Sequence, residues 1–223
     1  TSGDAGLKGF VSFGNNFKLD GLGETIELDK VKENADVYDG IAATSKDGTI
    51  DKNVMIGSLK VTSDDGKVDV ADNKSAVLYK ADASGNLVSN NKGTADVSLG
   101  DGSTLTLAGN GKAGAIEAGT ANKGSIAFGH AKASGTVEAK SIGAKTAVAS
   151  VKVDAGNVVL TAAPGVDNAP VKLQTQSLSL AKGTSLTAKD QDVVISAAAA
   201  TGAADLSGNL TAKSLTLNSM SNT

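Results

Sequence analysis

Apolar residues alternate with polar ones over only three to five positions before a turn cluster intervenes, and this phrase recurs from about residue 45 onward. Examples are SLKVT (58–62), KVDVA (67–71), DVSLG (96–100), TLTLA (104–108), SIAFG (125–129), VKLQT (171–175) and SLSLA (177–181). A period of two punctuated by Gly, Asn and Asp is the signature of short β-strands. Strands this short bury one face and are not stable alone, so the chain must pair or stack many of them. Helix-period patterns are nearly missing. The best candidate, ELDKVKENADVYDGIAA (27–43), is broken by Gly40 and by irregular spacing.

The spacing of these phrases constrains the fold further. The turn-plus-strand unit KDGTI (46–50) returns as DDGKV (64–68), ASGNL (83–87) and GDGSTL (100–105), with glycines at 48, 66, 85 and 102. Strand centres follow in two further series, at 60, 78, 98, 117, 138, 159 and 179, and at 106, 127, 148, 172, 194 and 216. Several strands in each turn of about 20 residues suit an all-β parallel β-solenoid, in which each rung buries its inner face against the next. A chain of 223 residues then yields about ten coils. Ile50, Val68, Leu87 and Leu105 are expected to form one inward column, with Lys67 and Asp69 pointing outward. Gly, Asn and Asp are expected at corners, where positive φ costs them little. The alternative is an antiparallel β-meander or sandwich, because LKVTSDDGKVDVA (59–71) also reads as a hairpin around Asp65-Gly66.

Three of the four phenylalanines (Phe10, Phe13, Phe17) lie in the opening FVSFGNNF, and none follows Phe128. Residues 1–45 therefore read as an N-terminal cap or lead-in segment and 46–223 as the repetitive β domain, with a sub-boundary near 110. Aromatics make up only 3% of the chain, so the core must be thin and built from Ala, Val, Leu and Ile. All 21 basic residues are lysine, dispersed along a chain of net charge −3. That excludes nucleic acid as a partner, which calls for a basic stripe with Arg forks and stacking rings. No apolar run reaches membrane-spanning length. The opening TSGDAG reads as the start of a mature product or an excised fragment.

Candidate chemistry is sparse. There is no cysteine, which removes disulfides, thiolate metal sites and thiol nucleophiles together. His130 is the only histidine and reads as a turn residue after AFG, since a triad or a zinc site needs partners for it. No Gly-x-Ser-x-Gly elbow occurs, and GNGKAG (109–114) lacks the spacing of a phosphate loop. The matched phrases DGTID and DGKVD place Asp47 and Asp51 18 residues before Asp65 and Asp69. Stacked on neighbouring rungs, such carboxylates could hold calcium or act as an acid pair on glycans. Solvated turn aspartates are the plainer reading. No catalytic, cofactor-binding or metal-ligating residue is therefore assigned, and calcium is the only ion considered.

TADVSLGDGSTLTLAGNG, GNVVLTAAPGVDN and SGNLTAKSLTLN resemble the coils of autotransporter and related β-helical passenger domains, over about residues 90–223. AVLYKADASGNLVSNNKGTADVSLGDG (76–102) resembles the variable outer domains of flagellins, and the acidic, Cys-free, Thr/Ala/Gly-rich composition resembles surface-layer proteins. These resemblances imply an extracellular, non-enzymatic structural protein of the bacterial surface, part of an adhesin, surface layer or filament. The alternative is a carbohydrate-binding or carbohydrate-cleaving solenoid. Expected partners are further copies or neighbouring surface subunits, and host or matrix glycans. The terminal SLTLNSMSNT carries no bulky cap and is expected to continue into further chain or to abut another subunit.

Overall fold

A computed structural model describes residues 10–13, 18–21, 24–27, 42–45, 48–51, 53–131, 133–165, 169–196 and 204–218, with side-chain surroundings from Gly48 onward. Every regular element among them is a strand. The strands form a parallel β-solenoid with three faces, and the chain visits the faces in a fixed order. One passage runs Ser58–Val61 on one face, Val68–Val70 on the next and Ser75–Leu78 on the third, before Val88–Asn90 returns to the first. Longer strands bend around a corner and serve two faces, as in Gly111–Ala118 and Ser185–Ile195.

The register is parallel from coil to coil. Val54, Ala76, Leu105, Ile126, Val151, Leu178 and Ala204 are successive partners, so along this face one coil takes 21 to 29 residues. Two positions along lies the companion column Ile56, Leu78, Leu107, Phe128, Val153, Leu180 and Leu206. Each side chain sits between its neighbours above and below, and from Ile56 to Leu180 this column is buried. Every such burial removes enough apolar surface to contribute about 1.5–3 kcal/mol. Phe128 is the one phenylalanine in this wall, between Leu107 and Val153.

The corners join coils through side chains as well as backbone. Asp72 Oδ1 accepts from the N–H of Asp101 at 2.7 Å, Asp96 Oδ1 from Ala115 at 2.8 Å, and Asn110 Oδ1 from Thr136 at 2.8 Å. These acids and amides satisfy backbone donors that a turn would otherwise leave unpaired. Positive φ among non-glycine residues is confined to Asn73 and Asn122 among the described residues, so corner Asp and Asn serve mainly as acceptors. Glycine is required where coils touch. Gly129 has φ +87°, and a Cβ there would strike the backbone of Ala155 on the next coil.

Two expectations need correction. Most coils are longer than about 20 residues, with steps of 21 to 29 along the Val54–Ala204 face. Ile50, Val68, Leu87 and Leu105 are all buried, but they do not form one column. Ile50 stacks on Val70, Val68 on Val97 and Leu105 on Ala76, while Leu87 accepts from the N–H of Leu59 on another face. Matching DGTI to DGKV would set Thr49 against Lys67, whereas Thr49 pairs with Asp69. A slip of two residues keeps every side chain on its own face, so burial survives while the column changes. Lys67 and Asp69 do point to solvent.

The hairpin alternative at 59–71 is not formed. Ser58–Val61 pairs in parallel with Ala42–Ser45 and Val88–Asn90, and Val68–Val70 in parallel with Thr49–Ile50 and Val97–Leu99. Strand pairing also runs across residue 45, since Phe10–Phe13 pairs in parallel with Ala42–Ser45 and antiparallel with Lys18–Gly21. Of the candidate helix (27–43), Glu27 ends the strand Glu24–Glu27, residues 28–41 lie outside the described residues, and 42–43 belong to the strand Ala42–Ser45.

Candidate functional site

Outward residues of one face line a groove of about 590 Å³ that crosses the coils. Its floor follows from the period of two: Ser98 lies between buried Val97 and Leu99, and Glu117 between buried Ile116 and Ala118. Ser98 and Glu117 are register partners, and Asp69 precedes them in the same outward column. Lys67 flanks the groove on an earlier coil, Lys140 and Lys145 on a later one, and the connection around Ala162 and Gly165 forms its wall. Five coils contribute, so the groove runs for about 19 Å at roughly 4.8 Å per step. Beyond the same wall a second hollow of about 430 Å³ shares Lys140, Ala162 and Ala163.

The acids around this groove are engaged by the fold. Asp96 holds the N–H of Ala115, and Glu117 Oε2 accepts from the N–H groups of Lys145 at 3.0 Å and Thr146 at 2.8 Å. Glu138, in the second hollow, lies 3.6 Å from the Lys112 ammonium. Lys67, Lys140 and Lys145 make no ion pair with a described residue. The groove thus offers ammonium groups and a serine hydroxyl along an extended track whose lining also includes several alanines and glycines. That arrangement can hold an extended polar chain. His130 sits elsewhere, in a turn closed by reciprocal backbone hydrogen bonds with Ala133 at 3.0 Å.

The described aspartates of the matched phrases are not register partners. Asp47 lies outside the described residues. Asp65 is 87% exposed and pairs with Lys92 at 2.8 Å. Asp69 stands opposite Thr49, two positions from Asp51, whose Oδ1 is buried without a hydrogen-bond partner. Among the described residues no group of three His, Cys, Asp or Glu side chains is placed to hold a metal ion.

The second distinctive surface is the last described coil. Leu206 is 37% exposed, Leu215 42% and Leu217 61%, although all three continue columns that are buried one coil earlier. The lysine groove had no local signal in the sequence, because Lys67 is more than seventy residues from Lys140.

The class the fold defines is the three-faced parallel β-solenoid. Compared with known proteins, the chain gives no significant match to any family model, curated protein or solved structure.

Proposed function

We propose that this chain is a structural element of a bacterial cell surface, extracellular and non-enzymatic, within an adhesin, surface layer or filament of the autotransporter-passenger type. The column stack carries this reading. Seven register-linked strands build a rod about 29 Å tall at roughly 4.8 Å per coil. It is held by aliphatic columns and parallel ladders in a chain without cysteine. Such a rod sets distance and presents side chains at fixed spacing, which suits display and assembly. Antibody labelling of intact cells tests the location: surface labelling without lysis is expected, and labelling only after lysis contradicts it.

The axial groove favours glycan binding as a second reading. Its unpaired ammonium groups suit a linear acidic polysaccharide, held by charge in the absence of aromatic lining. Saturable binding that weakens in Lys140→Glu and Lys145→Glu supports this reading. Reproducible depolymerisation of a polysaccharide, lost in Asp65→Ala or Glu117→Gln, contradicts the non-enzymatic one.

A further inference from the structure

A third hollow, of about 440 Å³, opens on another face of the solenoid and shares no lining residue with the lysine groove. The period of two makes its floor. Lys60 lies between buried Leu59 and Val61 and so points outward, and its register partner Ser89 continues that outward column on the next coil. The chain from Asp82 to Asn86 folds over Ser89, which is buried although it faces away from the core. Asp82 holds this excursion in shape. Its Oδ1 accepts from the N–H groups of Ser84 at 2.8 Å and Asn86 at 2.9 Å, and its Oδ2 from the Ser89 hydroxyl at 3.3 Å. A second wall is the hairpin of Val88–Asn90 and Gly93–Thr94, whose turn is fixed by Asn90 Oδ1 accepting from the N–H of Lys92 at 2.9 Å.

Two polar groups in this hollow are left over. Asn86 is only 8% exposed, yet its side-chain amide makes no hydrogen bond with a described residue. The Lys60 ammonium makes no ion pair with a described residue. Buried amides normally find partners, so an unpartnered one lining a hollow points to a ligand that completes it. Apart from Ala83 and Gly93, the described lining residues are all polar, which excludes an apolar ligand. Charge excludes a simple ion. The Asp82 carboxylate offsets the Lys60 ammonium, and the Lys92 ammonium is engaged by Asp65 at 2.8 Å. Among the described residues no group of three His, Cys, Asp or Glu side chains gathers to hold a metal ion.

A carboxylate that only accepts, an ammonium that only donates and an amide that does both match adjacent hydroxyl groups, each of which donates and accepts. The volume lies at the low end of the roughly 300–1,000 Å³ typical of small-molecule sites, which suits the end of a glycan. We propose that this hollow binds a neutral saccharide, whose hydroxyl groups complete the hydrogen bonding of the Asn86 amide and the Lys60 ammonium. The site is separate from the groove and its acidic polysaccharide, and it does not rest on the cell-surface reading. With no aromatic ring in the lining, affinity comes from hydrogen bonds alone, and millimolar binding is expected.

Titration of the isotope-labelled 223-residue chain with neutral mono- and disaccharides, followed by NMR, tests the proposal. Saturable shifts are expected at the Asn86 side-chain amide and at the backbone of Ser84, Ser89 and Gly93, with Ser98 and Lys145 of the groove unmoved. Asn86→Ala and Lys60→Ala are each expected to weaken binding at least about tenfold. Their unfolding midpoints are expected to match the parent, because neither side chain gives up a partner among the described residues. The shift map on the parent chain decides the matter even where a variant folds poorly. No saturable shift with any neutral sugar, shifts confined to the groove, binding indifferent to both variants, or shifts at Asn86 with inorganic phosphate or glutamate but not with sugars would each overturn it.

Discussion

Ile56 and Leu206 stand at the two ends of one column, six register steps apart, yet Ile56 is 1% exposed and Leu206 37%. Both lie on short parallel strands and both point inward, so local sequence does not separate them. What differs is whether a further layer covers the coil. An inward residue in a solenoid is buried by its neighbours along the axis, and stability is a sum of coil-to-coil contacts. The coil of Ile56 therefore behaves as interior and the last described coil as surface.

The sharpest way to break this comparison is in the middle of the column, where both neighbours are present. Phe128→Ala is expected to cost about 3–5 kcal/mol in denaturant unfolding, since neither Leu107 nor Val153 can fill the space. The ends then separate. Ile56→Ala is expected to cost about 2–5 kcal/mol. Leu206→Ala is expected to cost about 1 kcal/mol or less, because part of its surface is already in water. Equal costs would remove the distinction between the ends. A corner acceptor comes next: Asp96→Ala leaves the N–H of Ala115 unpaired and is expected to cost about 1–2 kcal/mol. Smallest are Lys67→Ala and Asp69→Ala on the solvent side, each within about 0.5 kcal/mol of the parent.

Strand positions were legible because alternation is a local property. TLTLA at 104–108 is the strand Thr104–Leu107, SIAFG at 125–129 is Ser125–Phe128, and DVSLG at 96–100 is Val97–Leu99. Both spacing series also found true partners, since Ser98 faces Glu117 and Glu138 faces Val159 in one, and Thr106 faces Ala127 and Val194 faces Thr216 in the other. Register between other coils was not legible. It depends on how much chain each corner absorbs, and the stretches between Leu78 and Val88 and between Leu160 and Val171 are longer than the others suggest. Nothing in DDGKV states that Thr49 will meet Asp69 instead of Lys67. The lysine groove was hidden for the same reason, since coils of unequal length bring Lys67, Lys140 and Lys145 to one track.

The central claim is that cover over the inward residues, present at Ile56 and missing at Leu206, governs order along the stack. Amide hydrogen exchange, followed by mass spectrometry on dilute protein, measures that cover directly. Slow exchange is predicted for peptides spanning Val54–Ile56, Thr104–Leu107 and Ser125–Phe128, with much faster exchange across Ala204–Leu206 and Asn209–Leu217. Protection equal at Val54–Ile56 and Asn209–Leu217 in dilute solution, or greater at the latter, would contradict the account.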